Sequence, residues 1–267
     1  MTNRSSTHAK RRRWPMLLII CCAALTGCGS GGGEEDDEDE FEAEDVSADG
    51  LWSGTVTPDG STTNKAIFGV STADGEFAFV VVSDTQAVGI FGTGTTDAFS
   101  VTGTGDAYAS INTTLANGAI SAPAQLTGTV TERSQIIGRY SFGGEAGRMV
   151  LNYVSVYGRP SSLATLAGVY TLPPLGELNA TLAINSNGQL TINRSDGCIS
   201  NGSFRIIDAT TNAYRGSWTS SMCGTTNGEW DAVAVLDDAP NGGSNNRVQL
   251  FMKAAVGPAW TVVAATK

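Results

Sequence analysis

The sequence contains a single histidine, His8, close to the start of the chain. Triad hydrolases need an imidazole base, and catalytic zinc sites commonly use histidine ligands. Both classes are therefore excluded for the chain beyond residue 8. The pattern G-x-x-x-x-G-K-[ST] is also missing, which excludes a P-loop nucleotide site. We interpret Gly89, Gly92 and Gly94 as part of a Thr- and Gly-rich β loop, and we predict no cofactor and no metal.

Basic residues are scarce, with 16 Lys and Arg against 26 Asp and Glu. Ten of the acids lie within residues 34–45, and the chain from Val46 onward carries 11 basic residues and 16 acids. A protein that binds nucleic acid needs a concentrated basic surface for the phosphates. Because the sequence shows no such cluster in this part of the chain, we predict no nucleic-acid partner.

Long apolar runs are missing as well. The longest near the amino terminus, residues 16–25, has about half of the ~20 residues that a membrane-spanning helix needs. It follows the basic residues 10–13 and ends in small residues, as in a secretory signal peptide. We therefore predict a signal peptide over residues 1–27. Twin-arginine export is the alternative, although Trp14 departs from the residues usual after an arginine pair.

The apolar run ends in the sequence LTGC, residues 25–28. This segment resembles the lipobox of bacterial lipoproteins, in which a Leu and two small residues precede a cysteine. The resemblance implies that Cys28 becomes the new amino terminus and carries a lipid on its thiol. Gly29 stands where an Asp commonly retains such proteins in the inner membrane, so we predict an anchor in the outer membrane of a Gram-negative cell, facing the periplasm or the cell surface. An ordinary signal peptide with a chance cysteine is the alternative.

Residues 28–46 are predicted to form a disordered linker. They combine the sequence GSGGG with the acidic block 34–45, which repels itself and offers almost nothing to bury. Our first interpretation is a solvated spacer between membrane and fold. The second is an electrostatic attraction for basic partners or divalent cations.

The rest of the chain is predicted to be all-β. Gly, Ser, Thr, Asn and Ala dominate, apolar residues alternate, and turn pairs such as Asn187-Gly188 recur. We predict two tandem antiparallel modules, barrels or sandwiches of about eight strands each, over residues 47–160 and 161–267. A single larger two-sheet domain is the alternative.

Similar segments in the two modules indicate a duplication. GLWSGTVT near the start of the first corresponds to LAGVYTL in the second, and GRMVLNYVSVY corresponds to NRVQLFMKAAV. Within single strands, the alternation places Phe77, Phe79 and Val81 on one face. It likewise places Val248 and Leu250 on one face.

Cys198 and Cys223 form an even pair once Cys28 is lipidated, and both lie beside turns. In an oxidising compartment such a pair predicts a structural disulfide. A redox role is the alternative, but there is no C-x-x-C motif. The surrounding pattern "GCISNGSF…AYRGSW…CGTTNGEW…AVLDD" resembles a domain of uncharacterised proteobacterial lipoproteins, over roughly residues 166–267. That resemblance implies a β fold with a disulfide and no particular activity.

We predict that the protein is not an enzyme. The remaining enzymatic alternative is a carboxylate-dependent hydrolase, for which Glu229 and Asp231 would share one strand face. Four tryptophans are interpreted as core residues, with a sugar- or ligand-binding surface as the alternative: Trp52, Trp218, Trp230 and Trp260.

The leading functional hypothesis is a non-enzymatic outer-membrane lipoprotein that binds an envelope or extracellular protein or polymer through its loops. The first alternative is a lipocalin-like carrier, which requires an open cavity lined by residues such as Phe77, Phe79 or Leu182. The second is an inhibitor of lysozyme or of a protease. The sequence does not determine the oligomeric state.

Overall fold

Sixteen β-strands follow one another in the computed structural model, which describes residues 46–175, 177–239 and 243–267. The first eight are β1 (Gly50–Pro58), β2 (Lys65–Ser71), β3 (Glu76–Val82), β4 (Ala87–Asp97), β5 (Ser100–Ala109), β6 (Ser121–Thr131), β7 (Gln135–Phe142) and β8 (Glu145–Tyr153). The second eight are β9 (Gly168–Leu175), β10 (Leu178–Ile184), β11 (Gln189–Arg194), β12 (Ile199–Ile206), β13 (Tyr214–Ser221), β14 (Gly228–Asp237), β15 (Arg247–Ala254) and β16 (Trp260–Thr266). Short helical turns occupy Ser155–Gly158, Leu163–Leu166 (α1) and Gly224–Thr226. The predicted signal peptide, Cys28 and all of the predicted linker except Val46 lie outside the described residues.

Each set of eight strands closes into an antiparallel barrel. Every strand pairs with the next one along the chain, and the last strand of each set returns to the first. The first barrel closes through a ladder of seven residue pairs between β1 and β8, whereas a single pair, Thr171 with Thr266, joins β9 to β16 within the described residues. The prediction of two all-β, eight-stranded modules is confirmed, and the single two-sheet domain is wrong.

Alternating side chains fill each barrel, because successive residues of a strand point to opposite faces. Phe77, Phe79 and Val81 of β3 lie inside the first barrel, as predicted. Val248 and Leu250 of β15 lie inside the second, again as predicted. The alternation in the sequence therefore identifies the inward face correctly in both modules.

A third apolar cluster joins the two barrels and was not predicted. It is formed by the outward face of β1–β4, the outward face of β14–β16 and the connecting segment. Ala78 and Val80 contribute from the first barrel, while Val233 and Phe251 contribute from the second. Strands β3 and β14 are consequently buried on both faces, which explains their nearly continuous apolar sequences, FAFVVV and AVAVL.

Asn212 fixes the connection between the barrels to β14. Its side chain is almost fully buried, and its Nδ2 donates hydrogen bonds to the carbonyls of Val156, at 3.1 Å, and Leu236, at 2.5 Å. Its Oδ1 accepts a hydrogen bond from the backbone N–H of Leu236. These three hydrogen bonds satisfy backbone groups that have no partner in a neighbouring strand. They also hold the connecting segment against the second barrel.

The first strands of the two barrels share a detailed feature. Trp52 of β1 donates its Nε1–H to the carbonyl of Ala48, and Tyr170 of β9 donates its hydroxyl to the carbonyl of Leu166. Both aromatic side chains are almost completely buried. In each barrel an aromatic ring on the first strand thus fastens the chain four residues before it, which supports the predicted correspondence of these two segments.

The second predicted correspondence is wrong. GRMVLNYVSVY contains β8, the eighth strand of the first barrel, whereas NRVQLFMKAAV contains β15, the seventh strand of the second. Both sequences alternate apolar and polar residues, and this pattern is common to strands that have one face in a core, whatever their position in a barrel.

The predicted disulfide joins Cys198 and Cys223, whose Cα atoms lie 4.5 Å apart. The bond connects the residue before β12 to the turn after β13, next to the ladder pair of Ile199 with Ser221. Both cysteines are buried. The bridge therefore fastens one end of the second barrel, where the chain turns between paired strands.

Candidate ligand-binding site

A cavity of about 480 Å³ opens at the end of the first barrel where β1 begins and β2 ends. This volume falls within the range of about 300–1,000 Å³ that small-molecule pockets occupy. Buried apolar side chains from four strands contribute to its lining: Phe77, Phe79, Leu126, Ile136, Met149 and Leu151. The barrel therefore offers an apolar space that is continuous with one of its ends.

Glycines on the inward face of β4 and β5 leave part of this space free. Gly92 pairs with Gly105, and Gly94 pairs with Gly103. A Cβ at Gly103 would lie 2.8 Å from Cε1 of Phe77, and a Cβ at Gly92 would lie 2.7 Å from its Cζ. A larger residue at Gly103 would push the Phe77 ring away, and at Gly92 it would in addition collide with the backbone oxygen of Thr104. These glycines lie in strands, so their interpretation as a β loop is wrong.

The opposite end of the first barrel is closed. Leu115, in the connection between β5 and β6, is buried there at 3 % exposure. Tyr140 donates its hydroxyl to Oε1 of Glu145 at 2.8 Å, and Lys65 forms an ion pair with the same carboxylate. A ligand of the cavity would therefore enter from the end where β1 begins.

The rim of the cavity is polar. It carries six hydroxyl side chains: Ser47, Ser71, Thr72, Thr95, Thr96 and Thr102. Its ionisable groups among the described lining residues are the carboxylates of Asp49 and Asp74. Asp74 is engaged by Arg215 of the second barrel, whose Nη2 lies 2.9 Å from Oδ2. The arrangement can bind the apolar body of a small molecule and contact a polar head.

Trp52 holds the segment 46–49 at this rim. Its Nε1–H is shared between Oγ of Ser71, at 2.9 Å, and the carbonyl of Ala48, at 3.3 Å. The Ser71 hydroxyl in turn donates to the same Ala48 carbonyl. The first described residues of the chain are thereby fixed beside the entrance.

The second barrel is filled by its own side chains, including Leu182, Phe204 and Trp218. The carrier hypothesis named Phe77 and Phe79 as lining residues, and both line the cavity of the first barrel, whereas Leu182 lies in this packed core. Cys198 and Cys223 are not among the described lining residues of the cavity.

Glu229 and Asp231 do share one face of β14, and it is the outward one. Both are exposed and contribute, with Trp218 and Trp230, to a polar depression of about 390 Å³ on the second barrel.

Trp52 and Trp218 are core residues, as interpreted, while Trp260 packs between the barrels and donates to the carbonyl of Ala109 at 3.1 Å.

The sequence contains a signal for the cavity that the alternation alone does not show. In GTG, residues 92–94, and GTG, residues 103–105, every second residue is glycine, so four inward positions on two neighbouring strands carry no side chain. Glycine inside a strand commonly marks a close backbone or ligand approach. Recognising it requires knowing that the two segments pair with each other.

Across the described parts of the chain, no group of three or more His, Cys, Asp or Glu side chains is placed to hold a metal ion. Nor does any helix in these parts have the length and apolar character needed to cross a membrane. Comparisons with protein-family models, curated proteins and solved structures find no match to this chain.

Proposed function

We propose that the protein is a lipid-anchored binding protein of the outer membrane whose first barrel carries a small apolar ligand without catalysis. The observation that carries this proposal is the open apolar cavity of about 480 Å³ beside a second barrel that is filled. Contact with envelope proteins or polymers through the loops belongs to the same proposal.

The anchor is supported by the sequence alone. The basic region, the short apolar run and the lipobox-like LTGC place Cys28 where lipidation would occur. Two or three acyl chains give stable membrane attachment, whereas a single chain gives only marginal binding. In the mature protein, the linker to residue 46 would tether the cavity end of the first barrel, because residues 46–49 line its rim.

Cys28→Ser is expected to move the protein from the membrane fraction to the soluble fraction of lysed cells. The matched control is Cys22→Ser, which lies in the predicted signal peptide and should leave the protein in the membrane fraction. Mass spectrometry of the membrane form should show the lipid on Cys28. A Cys28→Ser protein that stays membrane-bound like the original would contradict the anchor.

The cavity is tested by Val101→Trp. Val101 lines the cavity and is partly buried against the core, so an indole at this position should occupy the ligand space. The neutral fluorophore N-phenyl-1-naphthylamine, added to soluble mature chain with Cys28→Ser, should bind the original cavity and brighten. We expect Val101→Trp to weaken its affinity at least about tenfold, or by about 1.4 kcal/mol.

The control places the same indole on the outside of the barrel at nearly the same level. Ile137 on β7 is 56 % exposed. It pairs with Thr129 of β6, and the preceding residue of β6, Gly128, pairs with Val101. Ile137→Trp should leave the affinity for the fluorophore unchanged. If the fluorophore does not bind, or if both variants weaken it equally, the carrier function is wrong.

A further inference from the structure

We infer that the ligand of this cavity carries a positively charged head group on its apolar body. The inference rests on the proposed function, since it assigns a chemical class to the ligand of the same site. Its basis is the charge of the rim. The apolar lining binds the apolar body of a ligand, so the polar head contacts the groups at the entrance.

The ionisable side chains among the described lining residues are of one sign. Asp49 and Asp74 are the ionisable side chains among the described residues that line the cavity. The other polar side chains there are hydroxyls, which accept and donate hydrogen bonds without favouring either charge. An anionic head would therefore lose its hydration at a rim whose described lining residues include two carboxylates and no basic side chain.

The two carboxylates are not equivalent. Arg215 holds Asp74 through Nη2, with distances of 3.0 and 2.9 Å to its two carboxylate oxygens, and Thr72 also donates to it. Within the described residues, Asp49 has no ion pair and accepts a hydrogen bond from the Ser47 hydroxyl. The negative charge available to a ligand is consequently that of Asp49.

Asp49 is partly buried and lies beside Tyr157 of the apolar cluster between the barrels, where its charge is effective. Burial and, after it, the negative charge of Asp49 raise the pKa of Tyr157, a tyrosine with only 1 % exposure. A carboxylate at the edge of an apolar region attracts a cation more strongly than one surrounded by water, because the effective dielectric constant is lower.

Three amphiphiles with the same ten-carbon tail test the inference: decyltrimethylammonium, decanol and decyl sulfate. Each is titrated, below its micelle concentration, against N-phenyl-1-naphthylamine bound to the soluble mature chain with Cys28→Ser. We expect the ammonium compound to compete about fivefold better than decanol, the upper end for a partly exposed ion pair. The sulfate should compete less well than decanol. Added salt should narrow these differences.

Asp49→Asn identifies the group responsible. It should reduce the advantage of the ammonium compound over decanol to less than about twofold. Both compounds compete with fluorophore bound to the same variant, so their ratio does not depend on how tightly that variant binds the fluorophore. The matched control is Glu132→Gln, which removes one acid from the β6–β7 turn at the same end of the barrel but outside the lining. It should preserve the advantage.

The outcomes separate the inference from the function on which it rests. Absence of fluorophore binding would remove the carrier function itself. Fluorophore binding with equal competition by the three heads, or with the sulfate strongest, would overturn the cationic head and leave the carrier in place. An equal loss of the advantage in Asp49→Asn and Glu132→Gln would show a general field of charge and overturn the assignment to Asp49.

Discussion

Replacing Phe251 with alanine is expected to lower the free energy of unfolding by about 3–5 kcal/mol, the usual cost of truncating a buried phenylalanine. Phe251 is 1 % exposed, yet its side chain lies on the outward face of β15. Its ring lies 6.2 Å, centroid to centroid, from that of Phe68 in the first barrel. The lost contacts are therefore those that join the barrels, and the filling of either core is unchanged.

This location makes the mode of unfolding informative. Each barrel has a core of its own, so their joint unfolding depends on the cluster between them. In urea titrations followed by tryptophan fluorescence and by circular dichroism, we expect one transition for the original protein and two for Phe251→Ala. Phe99→Ala, at a phenylalanine that is 56 % exposed, should change stability by less than about 0.5 kcal/mol. Equal effects of the two substitutions would contradict the role of the interface.

Removal of the disulfide should have the second large effect. The bond between Cys198 and Cys223 closes a loop with a sequence separation of 25 residues. In the chain-entropy description, closing a loop of this size lowers the conformational entropy of the unfolded chain and raises its free energy by about 3.5 kcal/mol. The double variant Cys198→Ala with Cys223→Ala should lose about this stability, which corresponds to a fall of roughly 10 °C in Tm.

A reductant provides the control. Dithiothreitol should lower the Tm of the original protein toward that of the double-alanine variant, and it should leave the variant unchanged. In the Phe251→Ala background, where two transitions are expected, calorimetry should assign the loss to the second barrel, because both cysteines flank its strands β12 and β13. A Tm that is insensitive to reductant in the original protein, with the bond shown to be broken, would contradict a stabilising role.

The sequence predicts the fold class and, for single strands, which side chains face the barrel interior. Alternation depends on neighbouring residues alone, so Phe77 and Phe79 or Val248 and Leu250 can be placed inside without knowing which strands pair. The disulfide follows in the same way from two cysteines beside turns. The cluster around Phe251 could not be found by this route, because its members come from both barrels and only folding brings them together.

The candidate site is predictable in part. Phe77 and Phe79 alternate with their neighbours in the sequence, so both can be predicted to face the interior of a barrel. The empty space beside them depends on the pairing of Gly94 with Gly103, and this register is set by the β4–β5 turn. The role of Asp49 depends on the hydrogen bond of Trp52 to Ala48, which brings the segment before β1 to the rim. Such contacts are tertiary and leave no local pattern.

The second barrel closes through a single described residue pair between β9 and β16, and this affects how copies of the molecule can associate. Beyond Thr171 the side of β9 that faces β16 has no described ladder partner, and an unpaired strand of this kind can join a strand of another molecule. Pro173 and Pro174 follow in the same strand, after Leu172, and neither has a backbone N–H that could bond to an incoming strand. The two prolines therefore disfavour edge-to-edge pairing of two molecules at this part of the described sheets, which closes through one residue pair.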